Sequence, residues 1–250
     1  MSNEETSAIV ETGKVPEARY TLVAVPDTGL VGIIAAGHIV RSKNMREIGY
    51  VRSAVLPPLV VIHDGEPKSP VRIYSDQKIL ALISETPLPS STYRRLAIDI
   101  AKWSKERKVN MLVSLTGIAV QNRLEIEKPQ VFGLGSSAEI REFLKSRNIP
   151  MLEEGFLAGP HALILNRCIE EKVPIAILLV QSHSQFPDPG ATVSLIECLN
   201  DAFQLDVEIQ SLKEQADEFR LKLRELMQRT QQSMTGMQKS QEEEIPAFYR

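Results

Sequence analysis

Short apolar runs that alternate with longer amphipathic stretches constrain this chain more than any other feature, because such alternation forces strands and helices into layers. Tyr20 to Val25 is apolar and stops at Pro26-Asp27-Thr28-Gly29, after which Leu30 to Val40 continues with helical character. Val131–Leu134 precedes the helical stretch Ser137–Arg147, Met151–Leu152 precedes Pro160–Glu171, and Ile175–Val180 precedes Ala191–Phe203. A buried strand, Met111 to Leu115, follows a helix over Thr92 to Lys108, where Leu96, Ile100 and Trp103 share one face and Ser90 or Ser91 supplies the cap. Four more apolar runs, around Ile48–Val55, Leu59–Ile62, Val71–Tyr74 and Ile79–Ile83, are broken by prolines, glycines and the turn His63-Asp64-Gly65, which predicts an antiparallel portion of sheet. The economical architecture is an α/β fold, a three-layer α/β/α sandwich around a largely parallel central sheet.

From Leu205 the pattern changes. Leu205, Ile209, Leu212, Ala216, Phe219, Leu223 and Leu226 recur at alternating steps of four and three, with charged and amide side chains between them. That spacing describes a heptad seam between chains or an amphipathic helix lying on its own domain, and the sequence supports the two equally. Beyond Met227 the pattern fades into Gln, Ser, Thr and Gly, then Glu242 to Glu244, then Ile245-Pro246-Ala247-Phe248-Tyr249-Arg250, which predicts a flexible tether with an adhesive end. The expected units are therefore a lead over 1–19, an α/β core over 20–204, a helical extension over 205–238 and a tail over 239–250.

The remaining composition narrows the function. A formal charge of −3, with Lys and Arg spread along the chain, gives no footprint for a phosphate backbone, so nucleic acid is not the expected partner. Cys168 and Cys198 both fall in helical segments, which predicts packing roles in a reducing compartment. Met1 to Thr12 has no basic and apolar leader pattern and no run reaches the length of a membrane span, so a cytosolic protein without a membrane partner is expected.

Three glycine-bearing loops follow predicted strands: Thr28-Gly29, Thr116-Gly117, and Phe132 to Ser137 with Gly133 and Gly135. Together they are expected to ring a crevice at the carboxyl edge of the sheet. The first lacks the third glycine of a dinucleotide fingerprint and the lysine of a P-loop, so a structural tight turn is favoured over a phosphate site. His38, His63, His161 and His183 are scattered and never reach metal-ligand spacing with Cys, Asp or Glu, and no nucleophile elbow or catalytic-cysteine signature occurs. No metal, cofactor or catalytic residue is expected. Asp188, within Pro187-Asp188-Pro189-Gly190, reads as the cap of the next helix.

Several segments together resemble the proteasome assembly chaperone family in its archaeal form: Val25 to Gly32, Leu115-Thr116-Gly117, Gly155 to Gly159, and the turn Phe186 to Ala191 before a helix. The likeness runs from about Tyr20 to Leu226. It implies a mixed sheet related to that of nucleoside phosphorylases, assembly into homo-oligomers, a tetramer among them, and a role with proteasomes. The end of the chain resembles the hydrophobic–tyrosine–any residue tail of proteasome activators, with Phe248, Tyr249 and Arg250 at the three positions. The resemblance thus implies docking on the α subunits of a core particle, to open its gate or assist its assembly without ATP. A pocket between ring subunits suits such a tail: an aromatic anchor, one oriented phenol and a terminal carboxylate. One tail buries little area, so useful affinity needs several tails on one oligomer. The competing classes are an enzyme on a phosphorylase-like fold, which needs a phosphate-binding set not seen here, and an oligomeric scaffold for another chaperone.

Overall fold

The computed structural model describes residues 8–53, 55–76 and 78–222. In chain order the elements are β1 (Ala8–Glu11), β2 (Tyr20–Ala24), α1 (Val31–Ser42), β3 (Arg46–Arg52), β4 (Val61–His63), β5 (Glu66–Lys68), β6 (Val71–Ser75) and β7 (Ile79–Ser84). There follow α2 (Ser90–Glu106), β8 (Leu112–Ala119), β9 (Val131–Gly135), α3 (Ala138–Ser146), α4 (Gly159–Glu171), β10 (Ile175–Ser182), α5 (Pro189–Phe203) and a last helix, α6, over 210–222.

Strands β2 and β7 are buried at every residue, as expected of strands covered on both faces. They form the middle of an eight-stranded sheet in the order β1-β3-β6-β7-β2-β8-β10-β9. The contiguous strands β7, β2, β8 and β10 are parallel, joined by helical crossovers, while β1, β3, β6 and β9 pair antiparallel on the flanks. Successive side chains of a strand point to opposite faces. Leu22 and Ala24 accordingly pack with Ile39, Leu195 and Leu199 under α1, α3 and α5, whereas Val23 packs with Leu96, Ile100 and Ile164 under α2 and α4. The three-layer sandwich expected from the alternation is the observed fold. Its helix starts follow local chemistry: Ser137 caps α3 by accepting from the Ile140 N–H at 3.3 Å, and Pro160 and Pro189 occupy first-turn positions of α4 and α5.

The lead over 1–19 contains a strand, β1, which pairs with β3, and Glu11 at its end accepts from Trp103 Nε1 at 2.8 Å and from Arg107 Nε at 2.7 Å. Three local expectations are corrected. Strand β9 runs antiparallel to β10, since the chain turns back through 120–130 without a crossover helix. Met151 makes only an isolated bridge to Gly133. The run around Leu59–Ile62 contributes β4, which pairs with β5 outside the main sheet.

The chain doubles back after α5. Asn200 clamps the return, its Nδ2 donating to the Val207 carbonyl at 2.9 Å and its Oδ1 accepting from the Val207 N–H at 2.8 Å, and His38 Nε2 lies 2.6 Å from the Glu208 carbonyl. Leu205 and Leu212 join the core on the α1 and α5 side, with Ile209 and Ala216 packed against it. Burial of one leucine removes about 1.5–3 kcal/mol worth of apolar surface from water, so this half of the heptad pattern is used within the chain. Leu205 and Leu212 are therefore unavailable to a seam between chains, and Phe219 is half-buried on the same helix. Leu223 and Leu226 lie outside the described residues.

Candidate functional site

The carboxyl ends of β2, β8 and β10 meet at one edge of the sheet. There β2 runs into Asp27, and Gly29 (φ 65°) and Leu30 (φ 51°) take two successive left-handed conformations that turn the chain into α1. Glycine accepts that geometry freely, while a leucine there costs roughly 1–2 kcal/mol. Close approach seals the turn. A Cβ on Gly117 would stand 2.5 Å from the Thr28 carbonyl oxygen and 2.4 Å from Ser182 Oγ, and one on Gly32 would stand 2.2 Å from the Leu115 carbonyl oxygen. Thr28, Gly29, Thr116 and Gly117 are thus brought together, with Ser182 between them. Gly133 and Gly135 are not. Because β9 is antiparallel to β10, Gly135 pairs with Ala176 near the start of β10 and so lies at the opposite edge, and Gly133 sits under Leu144 and Ile149.

Behind the turn lies a buried polar chain. Thr116 Oγ1 donates to Asp27 Oδ2 at 2.9 Å, and Ser114 Oγ lies 2.7 Å from Nδ1 of His161, a residue with 0% of its surface exposed. His161 Nε2 faces Asp27 Oδ2 at 3.7 Å. Burial pushes the His161 pKa down, against the pull of the Asp27 carboxylate. Ser114 Oγ and His161 Nδ1 share one hydrogen bond, while His161 Nε2 is buried without a hydrogen-bond partner among the described residues. The residue types are those of a nucleophile, a base and an orienting acid, but Ser114 has no exposed surface from which to attack a substrate. The set holds α4 against the sheet. Ser114 and His161 are 47 residues apart and no local pattern joins them, so only the three-dimensional fold reveals the contact.

Asp188 ties the same edge together. Its Oδ1 accepts from the Ala191 N–H at 2.9 Å, capping α5, and its Oδ2 accepts from the His183 N–H at 3.0 Å. Arg123 grips it from the other side through Nε at 2.7 Å and Nη2 at 3.0 Å, a buried bidentate pair. The Asp188 N–H also donates to the Gly29 carbonyl at 2.9 Å, fastening the first turn. The cap was legible in the sequence; the arginine was not.

A second constellation lies between α1 and the β4–β5 hairpin, beside a cavity of about 680 Å³. Buried Arg72 binds Glu85 and, at 3.1 Å, Glu47, while Glu85 also accepts from the Tyr74 hydroxyl at 3.0 Å and pairs with His63 Nε2 at 2.8 Å. Burial alone would raise the Glu85 carboxyl, but hydrogen bonds from His63, Arg72 and Tyr74 carry it below the ordinary carboxylate range. These groups bond to one another, leaving the buried Arg72 Nε as the one guanidinium nitrogen of the cluster without a hydrogen-bond partner among the described residues, and pin the hairpin tip to the sheet. Burial pushes both thiols, Cys168 and Cys198, up to about 12, so they serve as packing groups. Among the described residues no cluster of three or more His, Cys, Asp or Glu side chains is placed to hold a metal, and no helix is long and apolar enough to cross a membrane.

Sandwich, folded-back helix α6 and sealed strand edge define an α/β protein whose glycine loops fasten the fold. The chain belongs to the PAC2 family, whose model matches residues 21–227. An uncharacterized protein of Methanocaldococcus jannaschii is 30% identical over 240 residues, 96% of this chain and 97% of that one. Among solved structures, Pyrococcus furiosus PbaA, an archaeal homolog of proteasome-assembly chaperone, superposes with a TM-score of 0.79 at 26% identity, covering 95% of this chain and 99% of PbaA. PbaB of the same organism, an archaeal proteasome activator, shares the fold with a TM-score of 0.76 at 18% identity, covering 88% and 98% of the two chains.

Proposed function

We propose that this chain is a proteasome-binding protein that acts without ATP, docking on the α subunits of a core particle through Phe248, Tyr249 and Arg250. Docking would open the gate, assist core-particle assembly, or both, in the cytoplasm. The observation that carries this reading is a hydrophobic–tyrosine–any residue sequence at 248–250 in a member of the PAC2 family. The likeness to PbaA, an archaeal homolog of proteasome-assembly chaperone, and to PbaB, an archaeal proteasome activator, supports a proteasome partner. Residues 248–250 lie outside the described residues, so the docking argument rests on their chemistry. Phe248 supplies apolar area, Tyr249 adds an oriented hydroxyl, and a carboxylate on Arg250 would pair with a cation of the ring. Affinity for an open gate greater than for a closed one is all that opening requires.

The test compares the full chain with a variant lacking 248–250, using an archaeal-type core particle. The full chain should form complexes and stimulate peptide hydrolysis equally with and without ATP, and the truncated chain should do neither while keeping its oligomeric mass and thermal midpoint. Tyr249→Ala should weaken each tail roughly thirtyfold, the loss of a hot-spot aromatic worth about 2 kcal/mol. One residue appended after Arg250 should be nearly as damaging. Normal binding by the truncated chain would move the contact to the globular domain.

A further inference from the structure

The β4–β5 hairpin stands apart from the main sheet, and an isolated two-stranded hairpin is marginal in water unless something covers it. Its tip, Asp64-Gly65, has both residues at positive φ (51° and 80°), the pattern of a two-residue type I′ turn. His63 and Glu66 therefore form the hydrogen-bonded pair that closes the turn, and the next pair, Ile62 and Pro67, points its backbone groups outward. Pro67 has no N–H to offer, so the β5 edge is blocked. Among the described residues no strand pairs with the outer edge of β4, and that edge is apolar: Val60 and Ile62 are each 61% exposed, with Leu59 and Val55 beside them.

Next to this edge lies a groove of about 520 Å³, walled by Leu56, Pro57, Leu59, Val60 and Pro70. Arg52 stands on its rim, exposed, with the Tyr50 hydroxyl 2.9 Å from its guanidinium. The hairpin thus carries a protruding apolar side chain, an open strand edge and an acidic tip at Asp64. The surface beside it carries an apolar groove, the same strand edge and an arginine. Each half complements the other, which is the condition for a two-fold contact.

We propose that the β4 edge is a self-association surface, where a second copy of this chain adds its own β4 antiparallel about a two-fold axis near Val61. Val60 then lies opposite Ile62 of the second copy, Ile62 enters the neighbouring groove, and Asp64 approaches the rim arginine. Because Pro67 closes the other edge, pairing stops at two hairpins and does not propagate into a fibre. The contact supplies the multivalency that the tail reading calls for, yet it rests on the folded domain and stands without that reading.

Two measurements test it. With Cys198→Ser as background, Val61→Cys should give a covalent dimer on a non-reducing gel, since residues facing each other on antiparallel strands fall within disulfide reach. Ile62→Asp should lower the solution mass by about half or more, with an unchanged far-ultraviolet spectrum because Ile62 is exposed on the single folded chain. Absence of the cross-link together with an unchanged mass for Ile62→Asp overturns the proposal. So does a variant of wild-type mass that loses core-particle binding, which would assign this edge to the core particle. Removal of 248–250 should leave the cross-link intact, so failure of the tail reading and failure of this surface are separately visible.

Discussion

An imidazole with 0% exposure, a hydroxyl 2.7 Å from one nitrogen and a carboxylate 3.7 Å from the other stays neutral while the strand ends are closed. The unfolded chain binds a proton on His161 near the ordinary histidine value of about 6.5, and the folded chain does so only at lower pH. The unfolded state then holds more protons below that value, so stability falls as pH drops from 6.5 toward the folded pKa. Chemical denaturation at a series of pH values should show this slope, and His161→Asn should flatten it. His183, whose pKa burial and the nearby Arg123 lower against the pull of Asp188, adds a slope of the same sign that the substitution leaves in place. Gly117→Ala tests the seal itself: a Cβ 2.5 Å from the Thr28 carbonyl forces backbone apart and should cost about 1–3 kcal/mol, read as a lower thermal midpoint. The glycines were legible because a strand end meeting a helix start needs them. The Ser114–His161 contact was not, since nothing within a few residues of either side chain signals the other.

At the scale of elements, what decides between the two readings of the heptad pattern is which surface the leucines cover. Leu212 is 2% exposed against its own domain and Leu221 on the same helix is 61% exposed. Leu212→Ala should therefore lower unfolding stability by about 2–5 kcal/mol, the range for a truncated core leucine, whereas Leu221→Ala should change it by less than about 0.5 kcal/mol. Urea denaturation of the two variants distinguishes intrachain packing from a seam, because a seam would spare the monomer in both. Periodicity reports that a face is apolar and is silent about its partner, so the sequence could place this helix without placing what it covers. Direction is silent in the same way. Val131–Gly135 reads as a strand followed by a helix whichever way it runs, and only the pairing of Gly135 with Ala176 makes it antiparallel. Ala8–Glu11 is not legible as a strand because four residues on a sheet edge carry too little pattern to separate from a polar lead.

For the whole molecule, an open α/β sheet normally offers ligands a crevice outside the carboxyl ends of its parallel strands. Here that crevice is filled from within. The Thr28 carbonyl and Ser182 hydroxyl occupy the space a side chain on Gly117 would need, and the Asp188 N–H is fastened to Gly29. Asp27 sets a carboxylate, hydrogen-bonded by Thr116, at the mouth where a phosphate would have to approach the start of α1. A helix N-terminus attracts an anion only when its N–H groups are reachable, and a neighbouring carboxylate repels one at close range. Calorimetry with ATP and magnesium at millimolar concentration should therefore show no saturable heat, and nucleotide should leave the thermal midpoint unmoved. Asp27→Asn refines the expectation: it removes the repulsion but not the backbone packing, so it too should bind no nucleotide, and its thermal midpoint should fall because Thr116 loses a charged acceptor. Binding that appears in Asp27→Asn alone would mean that charge and not packing closes the site. Saturable one-to-one binding by the natural chain would mean the turn opens in solution, and would return Thr28, Gly29, Thr116 and Gly117 to consideration as ligand contacts.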